Sequence, residues 1–129
     1  MILDTSFLLD LLEGDEAAAR KAEKLEERQE QLKLSAATVF ELHTGIERSA
    51  KPEEEKKKVK EVIDSKQVLE ASHETMKKAG KLHGKLINEG SRVQAFDTVI
   101  AATSLIHEEA LLTRDSDFEE IEGVETEGY

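Results

Sequence analysis

The chain has no cysteine and no tryptophan, one proline, and only four phenylalanines and one tyrosine among 129 residues. Without cysteine there are no disulfides and no zinc–thiolate sites, which suits a reducing, cytoplasmic setting. With so few aromatics the core must be aliphatic and rich in small residues. No run of eighteen apolar residues occurs, so no membrane span is expected. The opening stretch "MILDTSFLLDLLEG" carries acids and no basic flank or small-residue cleavage site, unlike a signal peptide. Positive charge is also scarce. The formal net charge is -11, the wrong sign for holding nucleic acid by bulk phosphate attraction.

What is present is uneven. Charged residues make up 36 % of the chain. Residues 1–50 carry a net -5, residues 51–92 a net +3, and residues 93–129 a net -9. Solvated helix faces account for much of this. If the two acidic ends pack together, they also create an acidic site with a basic flank. The length suits one domain, taken as residues 1–129.

Short apolar runs alternate with helical spacing. Strands are predicted at 2–4, 32–35, 66–71, 111–113 and 124–126. Helices are predicted after each of the first three strands and over 15–31, 52–65 and 96–110, with Pro52 at a favoured first position. Gly80 and Gly84, on one face of the helix at 72–90, are expected to admit a close neighbour. This alternation points to an α/β fold with a central, mostly parallel sheet and helices on both faces.

Four acids stand in apolar company. Asp4 ends the first strand in "ILD", and Asp115 follows the strand "LLT" in "LLTRDSDF". Glu41 lies in "TVFELHTG" among small neighbours, inside a helix expected to start near Ser35. Asp97 opens the most apolar helix, "FDTVIAATSLIHEEA". Capping accounts for each acid taken singly, including a Thr38–Glu41 capping box. Together they fit another rule: open parallel sheets bind ligands beyond the carboxyl ends of their strands. Carboxylates gathered there repel one another unless a cation is present, and oxygen-only donors select Mg²⁺ or Mn²⁺. No P-loop, dinucleotide fingerprint, calcium loop or nucleophile elbow competes, and the four histidines lack ligand spacing.

Taken in order, "ILDTSFLLDLL", "SAATVFELHTGI", "INEGSRVQAFDTVIAATS" and "LLTRDSDF" resemble the successive motifs of the PIN domain, and more narrowly of VapC-type toxins of type II toxin–antitoxin systems. The resemblance spans nearly the whole chain. It implies a three-layer PIN-like fold and a metal-dependent endoribonuclease, with Asp4, Glu41, Asp97 and Asp115 as the catalytic acids. Asp4, Asp97 and Asp115 are the implied metal ligands, and Thr5, Ser6 and Thr113 the residues that orient them. It also implies an RNA substrate, a VapB-like antitoxin and a homodimer. A non-catalytic PIN-like binding module and an RNA-processing PIN nuclease without an antitoxin are the alternatives. RNA must then be held by the metal and by a local basic patch, drawn from Lys56, Lys57, Lys58 and Lys60 or from Lys77, Lys78, Lys81, Lys85 and Arg92. Arg114 beside the site either contacts a phosphate or pairs with an acid.

Overall fold

A computed structural model describes residues 1–129. Five short strands form one sheet: β1 (Ile2–Leu3), β2 (Lys33–Ser35), β3 (Gln67–Leu69), β4 (Leu111–Leu112) and β5 (Thr126–Glu127). Their order is β3-β2-β1-β4-β5, and every pairing is parallel. The chain moves outward from β1 through β2 to β3, then returns to the other side of β1 for β4. The reversal falls between β1 and β4, so the crevice at their carboxyl ends is the switch point where such sheets bind ligands.

Six helices cover the sheet: α1 (Thr5–Leu12), α2 (Glu16–Glu27), α3 (Ala36–Arg48), α4 (Pro52–Asp64), α5 (His73–Asn88) and α6 (Ala95–His107). Side chains alternate across a strand, and the core divides accordingly. Ile2 and Leu111 join a cluster with Ala79, Leu86, Ile100 and Phe118. Leu3 and Leu112 join a second cluster with Phe7, Leu25, Leu42 and Val59. Helices α5 and α6 therefore pack on one face, and α1, α2 and α4 on the other. Both faces of β1 and β4 are dry, which is why these strands read as unbroken apolar runs.

The helix boundaries have local causes. Ser35 caps α3 by accepting the Ala37 N–H at 3.1 Å. This settles the start of that helix and places Glu41 in its second turn. Asp15 caps α2, accepting from Ala18 N–H at 2.9 Å, and Ser72 caps α5 through Thr75 N–H at 3.1 Å. Pro52 opens α4 with Glu53, Glu54 and Glu55 in its first turn, where acids suit the helix dipole. Helix α6 stops at His107, three residues short of the sequence expectation, because Glu108 takes a left-handed conformation with φ 51°. Every residue of α6 from Thr98 to Ser104 is buried, as its apolar character predicts.

One expectation fails. A Cβ at Gly80 or Gly84 would meet nothing within 4 Å, so no element approaches that face of α5. The glycines face open solvent because α5 packs on α6 through Thr75, Ala79 and Leu86 on its other side. The histidines are exposed or at the boundary, as their spacing suggests. No helix is long and apolar enough to cross a membrane.

Candidate active site

The register of β1 and β4 builds the site. Ile2 pairs with Leu111 and Leu3 with Leu112. One step further along, Asp4 comes beside Thr113, and the Asp4 N–H donates to the Leu112 carbonyl at 3.0 Å. The Thr113 hydroxyl donates to Asp4 Oδ2 at 2.7 Å. The same oxygen of Thr113 accepts the Asp115 N–H at 3.0 Å. One hydroxyl thus joins the acid after β1 to the acid after β4.

Asp4 occupies the residue before α1, yet its side chain makes no capping bond to the helix. The capping account of Asp4 therefore fails. The carboxylate is 2 % exposed, and no lysine or arginine pairs with it. Burial raises its pKa, against hydrogen bonding chiefly from Thr113 and to a lesser degree from Ser6.

Glu41 is held from α1. The Thr5 hydroxyl lies 2.8 Å from Glu41 Oε1 and 3.0 Å from the Thr38 hydroxyl. Thr5 has one proton to give, shared between the Glu41 carboxylate, the stronger acceptor, and the Thr38 hydroxyl. This relay ties α1 to α3. Thr38, fully buried, was read in the sequence only as a cap. Its place three residues before Glu41 on the same helical face is the signal that identifies it as a support. Thr5 thus bonds Glu41, and Thr113 bonds Asp4.

Asp97 stands in the first turn of α6 and is not its cap; that position belongs to Gln94. Burial first, and then repulsion from Asp4, Asp115, Glu41 and Asp117, pushes its pKa up to about 7. Asp4, Glu41, Asp115 and also Asp117 therefore all lie within electrostatic reach of Asp97. Asp115 caps the 3-10 helix Ser116–Glu120, accepting the Asp117 N–H at 2.9 Å. Phe118 behind it is fully buried and pins the turn. Asp117, which supplies that N–H, is half-buried like Asp115.

No basic side chain enters the cluster. Arg114 pairs instead with Asp10 at 3.6 Å and Asp15 at 3.4 Å. Its guanidinium lies 4.1 Å from the centre of the Tyr129 ring, whose hydroxyl donates to Asp10. Lys77, Lys78 and Lys81 line a surface groove with Leu105 and Ile106, at the far end of α6 from Asp97. That is about 12 Å along the helix axis, at 1.5 Å per residue.

The donor set is oxygen only and uncompensated, which fits a hard divalent cation in chemistry. The side chains do not close on a point: no three acids or histidines stand where they hold one ion together. Carboxylates gathered in this way repel one another, and a cation among them would remove that repulsion.

Two outcomes follow. An acid raised to about 7 in the fold and near 3.8 when unfolded binds more proton in the native state between those values. Metal-free stability must therefore fall as pH rises from 4 to 7 and stay low above it. Asp97→Asn should stabilise the metal-free protein at pH 8, on the order of 1–2 kcal/mol once solvent screening is allowed for, and flatten the pH slope. Thermal melts in a chelator at pH 5 and pH 8 check this; an unchanged slope contradicts it. Thr113→Val removes the bridge between Asp4 and Asp115 and should weaken Mn²⁺ binding about 10- to 100-fold, read by calorimetry.

The PIN domain family matches the sequence over residues 1–124. No curated protein sequence matches. Among solved structures, the chain is similar to a chain of DNA-bound VapBC from Salmonella typhimurium, at 24 % identity and TM-score 0.88, covering 98 % of this chain and 96 % of that one. It is similar to a chain of VapBC2 from Rickettsia felis bound to promoter DNA, at 20 % identity and TM-score 0.87, with 98 % and 96 % covered. FitAcB from Neisseria gonorrhoeae is a more distant likeness, at 20 % identity and TM-score 0.77, with 97 % and 94 % covered. These likenesses show the fold. With a match over nearly its whole length, the chain belongs to the PIN domain family.

Proposed function

We propose that this PIN domain, taken as residues 1–129, is a Mg²⁺- or Mn²⁺-dependent endoribonuclease and the toxin of a VapBC-type pair. The observation that carries the reading is the buried Asp4 carboxylate. It is joined through Thr113 to Asp115 and surrounded by further acids, with no cation of the protein beside it. A scaffold gains nothing from such a cluster, since each uncompensated acid there costs stability.

Asp4, Asp97 and Asp115 would hold the cation, directly or through water. Bound there, it would neutralise phosphoryl oxygens and favour an attacking hydroxide. Glu41 is fixed at one oxygen by Thr5, and no protein group bonds its other oxygen. It is the acid placed to orient the attacking water or take its proton. Thr5 and Thr113 keep Glu41 and Asp4 in single orientations, which lowers the reorganisation needed at reaction.

The partner proposal rests on the same charge. Among the similar structures are a toxin–antitoxin complex from Klebsiella pneumoniae and a member of the VapBC family of toxin–antitoxin systems from Mycobacterium tuberculosis. An acidic crevice is a natural seat for an arginine or lysine of a VapB-like antitoxin, which would block the metal site. A homodimer is part of the same reading.

Asp4→Asn and Asp97→Asn should each lose at least about a hundredfold of Mn²⁺-dependent cleavage of single-stranded RNA, the scale of removing one charge-stabilising group. Both should keep the wild-type far-UV circular dichroism. Mn²⁺ at about a hundred times its Kd should stabilise the wild type by about 2.7 kcal/mol and neither variant by as much. Undiminished cleavage by both pure variants contradicts the assignment.

A further inference from the structure

Arg114 stands between two residues of the site, and its side chain joins neither. Thr113 before it bonds Asp4, and Asp115 after it belongs to the acidic cluster. Side chains alternate along extended backbone, so Arg114 leaves the chain on the opposite side from Thr113. There it enters a cage whose walls are fixed without it. Asp15 Oδ1 caps α2 by accepting the Ala18 N–H. Asp10 Oδ2 accepts the Tyr129 hydroxyl. The Tyr129 ring meets the buried Phe7 edge-on, with centroids 4.8 Å apart and planes at 74°. The same two carboxylate oxygens face the guanidinium at 3.4 Å and 3.6 Å, and the same ring lies beneath it at 4.1 Å. Both ion pairs are longer than a close charge-assisted bond, and the Arg114 side chain is 45 % exposed, so each pair is weak. Arg114 is held by the sum of three weak contacts, beside a crevice that offers stronger partners.

We infer that Asp10, Asp15 and Tyr129 form a latch that keeps the Arg114 guanidinium out of the acidic crevice and so keeps the crevice open to a divalent cation. The inference rests on the metal-site reading above and adds the residues that protect that site from the chain's own nearest cation. Arg114 is the only basic residue after Arg92. A guanidinium suits carboxylates well, because its planar fork bonds two oxygens at once. Freed from the cage, it would have a cluster of uncompensated acids on either side of its own backbone. It would then stand in the place of the metal. A guanidinium that fills the crevice about nine-tenths of the time leaves about one-tenth of the protein competent, which raises the apparent Kd about tenfold. Asp10, Asp15 and Tyr129 act on the site only through Arg114, which makes them positioning residues.

The test uses the full chain and calorimetric titration with Mn²⁺, with no RNA present. Asp10→Asn/Asp15→Ser removes both charges but keeps an acceptor for Tyr129 and a cap for α2. Its Kd for Mn²⁺ should rise about tenfold. Tyr129→Leu keeps both charges and removes the ring face, and should raise Kd about threefold or more. Arg114→Gln alone should leave Kd within about twofold of wild type, and adding it to either latch variant should return Kd to within about threefold. Far-UV circular dichroism checks that each variant is folded. Folded latch variants with unchanged Kd overturn the inference. So does a loss that Arg114→Gln fails to rescue, since the lost charge or packing then acts by itself. An Arg114→Gln variant that binds as weakly as the latch variants also overturns it, because the network then only braces the fold. A wild type that binds no Mn²⁺ overturns the metal-site reading itself, and this inference with it.

Discussion

A carboxylate that is buried and has no cation beside it sets the terms for this fold. Asp4 is placed by the backbone ladder between β1 and β4, which leaves it almost wholly buried. Its one strong side-chain partner is the Thr113 hydroxyl, which also holds the turn that carries Asp115. Dry packing on both faces of these strands makes the arrangement stiff. Ile2 and Leu111 are locked into one core layer, and Leu3 and Leu112 into the other. A slip of one residue would exchange the layers and carry Asp4 out of reach of Thr113. The fold thus keeps acids together in a buried place, and the cost, from burial first and repulsion second, appears in Asp97, pushed up to about 7.

Supports for the cluster come from distant parts of the chain. Thr5 on α1 and Thr38 on α3 fix Glu41. Phe118 anchors the turn after Asp115 from behind. Arg114, the nearest basic residue in sequence, is held away from the acids by Asp10, Asp15 and the face of Tyr129. Engaged with two carboxylates already, it does not offset the charge of the crevice. The crevice is left with a strong field for an incoming cation, whether a metal ion or a side chain of a partner.

The sequence reveals the sheet and the four acids for a simple reason. Buried parallel strands must be apolar throughout, so an aspartate at the end of "IL" or just beyond "LLT" stands out as a strand terminus. Ser35 before a helical stripe reveals the start of α3, and hence that Glu41 lies inside it. Contacts between distant residues were not legible. Thr5 meets Glu41 across 36 positions, and Arg114 meets Asp15 across 99. The choice of Arg114 between phosphate and acid was therefore open until the fold closed. The glycines of α5 misled because helical spacing shows which residues share a face and not whether a neighbour covers it.

The central claim is that these acids hold a divalent cation. Anomalous diffraction from crystals grown in Mn²⁺ tests it most directly. The account predicts a manganese peak in the crevice, with Asp4, Asp97 and Asp115 drawn in around it directly or through water. A crevice without manganese, or a peak bound elsewhere with these side chains unmoved, would contradict it.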